Sequence, residues 1–295
     1  MQDIDPRRNA FLGKFLGLKM ITIAFQGELG AYSHEACMSA RPNCQALPCK
    51  SFEDVISAVN NNIADLAMLP VENTTYGRVA DIHRLLPGSG LHIIDEIFTR
   101  VRISLLGLPE QKLQDIKLAE AHLVLLPQAA KFLEKNEILG VRAVDSAGAA
   151  AALKVSKAKD TGVLASKLAA EIYGLKVLAE NIEDSKHNTT RFLLMSPNPD
   201  HTMRGDTKMM TTFIFQVRNI PAALYKAMGG FATNGVNMTK LESYMVGGSF
   251  SATQFYADIE GHPDDSNVKL AMDELAYFTQ SISILGVYPA SSKRV

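Results

Sequence analysis

The sequence predicts a two-part protein, an α/β body followed by a smaller α+β unit. Short apolar runs alternate with helical patterns from residue 20 to about 195, which is typical of layered α/β folds with largely parallel sheets. Two prolines and many polar residues then interrupt the pattern at 196–209, which we interpret as a linker. A new element order follows. The chain has 295 residues, enough for two domains.

The body begins after residues 1–19, which we interpret as an N-terminal extension. Its predicted strands are short apolar runs, in chain order ITIAF, ADLAMLPV, LHIIDEIF, RVRISLLGL, AHLVLLP, VRAVDS, TGVLAS and VLAENI. Its predicted helices lie in QGELGAYSHEACMSA, SFEDVISAV, VADIHRLL, QAAKFLEKNEIL, AGAAAALKVSKA and KLAAEIYGL. Ser51 and Asp54 have the spacing of a capping box, which predicts a helix start at this point.

The segment 210–290 has a different order of elements. Its predicted elements are, in turn, TTFIFQV, PAALYKAMGGFATNG, VNMTKLESYMV, SFSATQFYADI, NVKLAMDELAYFT and ISILGVYP. They give the order βαββαβ, which is that of ferredoxin-like units. Pro221 suits the first turn of its first helix and Gly235 suits the end of that helix. Gly247 and Gly248 mark the predicted turn between its two middle strands.

The composition argues against several classes of protein. The net charge is −1 and no basic stripe is present, so we expect no nucleic-acid partner. No segment approaches the ~20 apolar residues of a membrane span, and residues 1–19 lack a signal-peptide cleavage pattern. Cys37, Cys44 and Cys49 lack metal-ligand spacing, which favours reduced thiols. We therefore expect a cytoplasmic protein without a metal or membrane attachment.

Two of the polar motifs lie where predicted strands lead into helices. In GELGAYS, Gly27 and Gly30 would let the backbone approach an anion, and Ser33 could add a hydroxyl, although a plain tight turn explains the glycines equally well. In VDSAGAA, Asp145 and Ser146 precede a helix rich in small residues. A simple N-cap would account for these two side chains.

Two further motifs place polar groups at strand ends. LPVENTTYG puts Glu72, Asn73 and Thr74 at the carboxyl end of an apolar strand, where open α/β sheets hold their ligand groups. NTTRF places Arg191 beside two hydroxyls, and its guanidinium could hold a carboxylate in a bidentate manner. A turn and a surface arginine are the structural alternatives. Four polar strand ends in one body predict a small polyanionic ligand.

These motifs carry a family resemblance. GxxGxYS, PVENTTxG, DSAGAA and NTTRF, in this order and before a βαββαβ tail, resemble the prephenate dehydratases over about residues 20–290. The resemblance implies a two-lobed, periplasmic-binding-protein-like catalytic domain at 20–195 and a regulatory ACT domain at 210–290. It implies conversion of prephenate to phenylpyruvate, water and carbon dioxide in L-phenylalanine biosynthesis. That reaction requires no cofactor.

The resemblance also implies roles for individual residues. It assigns the proton or hydrogen-bond donor to Thr190. His187 is an alternative proton source that we rank below Thr190, because the family motif does not include it. Arg191 would hold a substrate carboxylate or bias the local field, and Phe192 would form an apolar wall. The other substrate contacts implied are Ser33, Glu72, Asn73, Thr74, Gln128, Asp145, Ser146 and Asn188.

The sequence departs from the family pattern at two places. The family's SHPQAL is LLPQAA here, with Leu125 and Leu126 for serine and histidine, while Gln128 is kept. In the tail, the phenylalanine-binding GAL and ESRP are AAL and ESYM. The implied effector residues are Ala222, Ala223, Leu224, Asn237, Glu242 and Ser243. We expect phenylalanine to act as an allosteric effector, with its strength left open by these changes.

The family's ACT domains pair with one another, so we expect a homodimer or homotetramer. Two alternatives to prephenate dehydratase remain open from the sequence: an arogenate dehydratase and a non-catalytic sensor of aromatic amino acids. A fusion to chorismate mutase is not expected, because residues 1–19 are too few for a helical mutase domain.

Overall fold

The structure is a computed structural model that describes residues 20–203, 205–218, 220–245 and 252–294. The chain divides into two compact units. Of the described residues, the first unit contains those up to Met68 together with Arg102–Lys186, and the second contains Leu69–Val101 together with those from His187 onward. The predicted extension at 1–19 and the predicted turn at Gly247–Gly248 lie outside the described residues.

The described residues form strands and helices in a largely alternating order through the body and a βαββαβ order in the tail. The strands are β1 Thr22–Gln26, β2 Gln45–Cys49, β3 Leu66–Asn73, β4 Gly77–Arg78, β5 His92–Arg100, β6 Ser104–Gly107, β7 Leu118–His122, β8 Leu139–Ala143, β9 Thr161–Ala165, β10 Lys176–Ala179, β11 Thr189–Ser196, β12 Met209–Val217, β13 Met238–Met245, β14 Ala252–Glu260 and β15 Thr279–Pro289. The α-helices are α1 Tyr32–Ala40, α2 Phe52–Asn60, α3 Ala80–Leu85, α4 Ala130–Lys135, α5 Ser146–Ser156, α6 Lys167–Tyr173, α7 Ala223–Thr233 and α8 Ser266–Phe278.

In the first unit, β1 pairs in parallel with β2 and with the first residues of β3. A five-stranded sheet in the order β10-β6-β9-β7-β8 is mixed, because β6 runs antiparallel to both its neighbours while β7 pairs in parallel with β8 and β9. Helices α5 and α6 cover this sheet with small apolar side chains, among them Ala149, Ala150, Ala169 and Ala170. The expected alternation is present, but the sheet is less parallel than predicted.

The GELGAYS turn in the first unit is explained by packing. Gly30 has φ +93°, and a Cβ added to it would lie 2.7 Å from Ala169 Cα on α6. The Gly30 N–H donates to Nδ1 of His34 at 3.0 Å. Of the two interpretations of these glycines, a tight turn with close helix packing is the one that the geometry supports.

In the second unit, the strands follow the order β13-β14-β12-β15-β5-β11-β3, with β4 beside β3. The tail strands β12–β15 form the ferredoxin-like arrangement that the sequence predicts. Helices α7 and α8 cover one face of the tail sheet, over a core that includes Phe213, Phe215, Phe231 and Leu275. The tail residues therefore bury an apolar face of their own.

The tail sheet continues directly into the body strands of the second unit. β15 lies parallel to β5, with Gly286 opposite Ile93. A Cβ added to Gly286 would lie 2.6 Å from the Cβ of Ile93, so this close approach requires a glycine.

Some predicted boundaries are wrong for identifiable reasons. The predicted strand AHLVLLP ends at His122, because the Leu125 N–H turns back to bond the His122 carbonyl at 2.8 Å and Pro127 follows in a 3-10 turn. The strand β2 was not predicted because it contains Pro48, a residue that sheets accept at an edge. The capping box is confirmed, since Ser51 and Asp54 exchange both bonds.

Candidate active site

A pair of side chains at the ends of two neighbouring strands forms the centre of the candidate site in the second unit. Asn73 ends β3 and Thr190 lies near the start of β11. The Asn73 amide nitrogen donates to Thr190 Oγ1 at 2.9 Å and to Asn188 Oδ1 at 2.7 Å. The Asn73 amide oxygen accepts the N–H groups of Thr75 and Tyr76 at 2.8 and 3.0 Å. These four bonds fix the orientation of the amide.

The Asn73 bond determines how the Thr190 hydroxyl can act. A threonine hydroxyl carries one hydrogen, and its oxygen here accepts a hydrogen bond from Asn73. The hydrogen of Thr190 therefore points away from the amide. A hydroxyl that accepts one hydrogen bond is also a stronger donor, because bonds in a chain polarise one another.

Thr74 ties the two strand ends together. Its N–H donates to the Thr189 carbonyl at 3.0 Å, and its hydroxyl donates to the His187 carbonyl at 2.7 Å. The Thr189 N–H in turn donates to Thr74 Oγ1 at 2.9 Å. The predicted role of Thr74 as a substrate contact thus competes with a structural role, since its hydroxyl holds the β3–β11 junction in register.

Strand geometry separates the predicted site residues between two faces. Successive side chains of a strand point to opposite faces, so Thr190 and Arg191 cannot face the same ligand from a regular strand. The same holds for Asn73 and Glu72 on β3. The structure follows this rule: Asn73 bonds Thr190, and Glu72 bonds Arg191.

Arg191 lies in a buried network of acidic and hydroxyl groups. Its side chain is 3% exposed. Its Nε donates to Glu96 at 2.8 Å, and its Nη1 donates to Asp258 at 2.6 Å and Glu72 at 2.8 Å. Its Nη2 donates to the Tyr288 hydroxyl at 2.9 Å. The predicted role of Arg191 as a ligand for a substrate carboxylate does not fit this geometry, because the side chain is buried and four of its five N–H groups already have protein partners.

The charges in this network stabilise one another. Burial alone would lower the pKa of Arg191, but electrostatic interactions with the groups around it, Tyr288 and Asp258 foremost, outweigh burial and raise the pKa well above the ordinary arginine value. Burial alone would raise the pKa of Glu72, but hydrogen bonds from Lys240 and Arg191 outweigh it and lower the pKa below the ordinary value. Both groups are therefore ionised at neutral pH.

Phe192 shares the strand face of Thr190 but is 2% exposed. The predicted apolar wall does not fit this burial, because a ligand could reach only a small edge of the ring. Asn188 is likewise buried, and its side chain accepts from Asn73. Asn188 thus contributes to the site by orienting the Asn73 amide.

The first unit contains the other four predicted substrate contacts, and most have structural partners there. Asp145 caps α5 by accepting the N–H groups of Ala147 and Gly148 at 3.3 and 2.6 Å, as expected if VDSAGAA supplies a simple N-cap. Ser146 Oγ accepts the His122 N–H at 2.9 Å. The Gln128 amide donates to the Val124 carbonyl at 2.7 Å, and Ser33 is half-buried in the first turn of α1.

The six predicted effector residues lie in the tail. Ala222 is the N-cap of α7 and has φ 60° and ψ 22°, the left-handed conformation that favours glycine. Ala223 and Leu224 pack into the tail core, and Asn237 and Ser243 are exposed. Glu242 accepts from Arg78 and Lys240, each at 3.4 Å.

The acidic and hydroxyl partners of Arg191 were not predicted from the sequence. Glu96 lies in the apolar strand LHIIDEIF, and Asp258 lies in FYADI at the end of another apolar strand. Both carboxylates are fully buried. A charged residue on the buried face of an apolar strand was the available signal, because such a group requires a partner. Its partner could not be identified without the fold.

The described residues contain no group of three or more metal-ligating side chains, and none of their helices is long and apolar enough to cross a bilayer.

Comparison with known proteins defines the class. The family model for prephenate dehydratase matches residues 23–200. A bifunctional N-acyl-homoserine lactone acylase/prephenate dehydratase from Komagataeibacter europaeus is 49% identical over 92% of this chain and 97% of its own length. An arogenate dehydratase/prephenate dehydratase from Arabidopsis thaliana is 37% identical over 91% of this chain and 72% of its own.

Solved structures give the same result for the fold. A quorum-quenching acylase, GqqA, superposes with a TM-score of 0.88 at 48% identity, over 93% of this chain and 100% of that one. Prephenate dehydratase from Arthrobacter aurescens in complex with L-Phe superposes with a TM-score of 0.84 at 28% identity, over 93% and 91%. The predicted fold class is confirmed, and the protein is an enzyme of the lyase class. The chain belongs to the prephenate dehydratase family.

Proposed function

We propose that this enzyme converts prephenate to phenylpyruvate, water and carbon dioxide, with Thr190 as the donor to the departing oxygen. The observation that carries this proposal is the bond from the Asn73 amide to Thr190 Oγ1. It leaves the Thr190 hydrogen available to a substrate oxygen on the opposite side of the hydroxyl. Membership of the prephenate dehydratase family supports the choice of substrate.

The reaction requires few functional groups from the protein. The bond between the ring and its carboxylate breaks, its electron pair moves through the ring, and the ring C–O bond breaks as the hydroxyl leaves with a proton as water. The ring becomes aromatic, so the driving force lies in the substrate. The enzyme must orient prephenate and stabilise the departing oxygen. A lone threonine hydroxyl is a very weak acid, and the polarising bond from Asn73 is what strengthens it.

Recognition of the two substrate carboxylates remains part of the proposal. The N–H groups of Arg191 and of Asn73 are engaged by their protein partners, so we assign this role to the other polar groups of the motifs, with Ser33 and Gln128 foremost. Single alanine substitutions at Ser33 and Gln128 should raise KM for prephenate more than they lower kcat, since binding groups act on both ground state and transition state.

The direct test is turnover by the purified wild-type protein. We expect phenylpyruvate from prephenate, with a kcat/KM higher than that for arogenate, the same molecule with an amino group in place of the side-chain keto group. A preference for arogenate would move the assignment to arogenate dehydratase, a name that relatives of this chain carry. Folded protein that turns over neither substrate would support the amino-acid sensor instead.

We further propose that L-phenylalanine binds the tail and lowers activity, with the chain working as a homodimer or homotetramer. The L-Phe complex of the Arthrobacter aurescens enzyme supports this proposal, as does the ferredoxin-like tail. The contacts would come from Ala222–Leu224, Asn237, Glu242 and Ser243. Light scattering and activity measured with and without phenylalanine test both parts. A monomer indifferent to phenylalanine would contradict them.

A second candidate activity follows from one comparison. A relative that is 49% identical over 97% of its own length carries the name of an N-acyl-homoserine lactone acylase as well as that of a prephenate dehydratase. We propose acyl-homoserine lactone hydrolysis as a second activity of this chain. Cleavage of the amide bond by water, which releases the free fatty acid and homoserine lactone and is measured by chromatography, would support it, and an N-acyl-homoserine lactone that stays intact would remove it.

A further inference from the structure

A cluster of buried polar side chains lies where the tail sheet meets the body strands of the second unit. We call it the junction cluster. Its members are Arg191 on β11, Glu96 on β5, Thr212 on β12, Asp258 on β14, Tyr288 on β15 and Arg294 beyond it. Two belong to body strands and four to the tail segment. The cluster therefore joins the strand that carries Thr190 to three strands of the tail.

The hydrogen bonds of the cluster close into a ring. Arg191 donates to Asp258 at 2.6 Å and to the Tyr288 hydroxyl at 2.9 Å. The Thr212 hydroxyl donates to Asp258 at 2.7 Å and lies 2.6 Å from the Tyr288 oxygen. Because Thr212 uses its one hydrogen on Asp258, Tyr288 must be the donor to Thr212. Each hydrogen bond in this ring thus has a defined donor and a defined acceptor.

The charges of the cluster also balance. Glu96 accepts from Arg191 at 2.8 Å and from Arg294 at 2.8 and 3.0 Å, and both its oxygens are used. Two guanidiniums thus face two buried carboxylates, Glu96 and Asp258, each fully buried. A satisfied network of this kind favours one arrangement over alternatives, since any shift leaves a buried charge unpaired.

We propose that Tyr288 and Asp258 are positioning residues for the reaction, which act by holding Arg191 and with it the Thr190 end of β11. This inference rests on the proposed role of Thr190. Thr190 directly precedes Arg191 on β11 and faces the other side of the sheet. A shift of the Arg191 backbone therefore moves the Thr190 hydroxyl. The tail thereby contributes to the chemical step without touching the substrate.

Tyr288→Phe tests the proposal with the least disturbance. It keeps the ring and the net charge but removes the Arg191–Tyr288 and Tyr288–Thr212 hydrogen bonds. We expect kcat for prephenate, without phenylalanine, to fall between about tenfold and 100-fold with little change in KM, since small misplacements of a reacting group have effects of this size. Tyr244→Phe is the matched control. Its buried hydroxyl has no partner among the residues that the structure describes, and its kcat should equal that of the wild type.

A double-mutant cycle separates positioning from general destabilisation. If Tyr288 acts through Thr190, Tyr288→Phe should lower kcat little further in a Thr190→Val background. Full additivity of the two effects would overturn the proposal, as would a Tyr288→Phe enzyme with the kcat of Tyr244→Phe.

Amide hydrogen exchange gives a readout independent of turnover. Exchange over residues 187–196 should be faster in Tyr288→Phe than in the wild type and in Tyr244→Phe, and unchanged exchange would overturn the proposal. If Thr190→Val is active while exchange is faster in Tyr288→Phe, the proposed role of Thr190 is wrong, and the anchoring of β11 by Tyr288 is retained.

Discussion

At the scale of single residues, the period of two along a strand determines what each side chain can do. Thr190 and Arg191 are adjacent in sequence, yet one bonds Asn73 and the other bonds Glu72, Glu96 and Asp258. The motif NTTRF thus combines two functions in five residues. One strand face presents a polarised hydroxyl, and the opposite face anchors that strand through a buried guanidinium.

Asn73→Asp tests the direction of the bond to Thr190. A carboxylate at this position can only accept, so the Thr190 hydrogen would turn toward residue 73 and away from the substrate. We expect kcat for prephenate to fall by about 10²-fold or more, within the range of a lost acid–base contribution. Steady-state kinetics check this result. Asn61→Asp is the control, because Asn61 is exposed at the end of α2 and bonds Ser57. Equal kcat values for the two variants would contradict the arrangement.

At the scale of elements, the tail strand β15 is both a core strand of the ferredoxin-like unit and the neighbour of β5. Gly286 allows the close approach to Ile93, and Tyr288 two residues later enters the junction cluster. The strand β15 therefore pairs with β5 through its backbone and anchors Arg191 through a side chain. These contacts explain why the tail belongs to the same compact unit as β5 and β11.

Ala222→Gly tests the conformation at the start of α7. Ala222 is left-handed, at a position where the family's GAL motif has glycine. Removing the Cβ relieves its clash with the backbone and stabilises the fold, while the greater freedom of glycine in the unfolded chain offsets part of this gain. The free energy of unfolding should therefore rise by about 0.5–1 kcal/mol. Urea denaturation checks this value. The same change at exposed Ala232, inside α7, should lower stability by up to about 1 kcal/mol. Destabilisation by Ala222→Gly would contradict the assigned conformation.

At the scale of the whole molecule, the sequence predicted what depends on local pattern. The alternation of strands and helices through most of the body, the capping box at Ser51 and the βαββαβ tail follow from periodicity and helix signals, and they are confirmed. The edge strand β2 was missed because Pro48 argues against a strand.

The site was less predictable, because its contacts join residues that are far apart along the chain. Asn73 and Thr190 were both identified from motifs, but the bond between them spans 117 positions. The partners of Arg191, at 96, 258 and 288, were not identified at all. Nothing local marks Asp258 as the partner of an arginine 67 residues away, so only the fold distinguishes an anchoring guanidinium from a ligand-binding one.

The pH dependence of stability provides a test of packing in the second unit. His83 is 3% exposed, neither ring nitrogen has a hydrogen-bond partner among the described residues, and its ring meets Tyr256 edge-on at 4.9 Å. Burial is the main cause that lowers the pKa of His83 from 6.5 to about 4. The charges of Lys240 and Arg78 lower it further, and those of Glu242 and Glu72 raise it. The neutral form is therefore favoured in the fold.

The pKa of His83 is lower in the folded protein than in the unfolded chain. The contribution of neutral His83 to the free energy of unfolding is therefore complete above pH 6.5 and is lost as pH falls toward 4. The loss should reach about 3 kcal/mol at pH 4. Urea denaturation followed by circular dichroism across this range should show a shallower pH dependence for His83→Leu than for wild type. Exposed His201→Gln should match wild type, whereas parallel curves for His83→Leu and wild type would refute the assignment.

The most direct test of the account is kcat for prephenate in Thr190→Val. Valine keeps the shape and the strand preference of threonine but removes the hydroxyl that Asn73 polarises. We expect a fall in kcat of about 10²–10⁴-fold with the fold and the prephenate affinity retained. A Thr190→Val enzyme with wild-type kcat would contradict the central claim that this hydroxyl assists the departing oxygen.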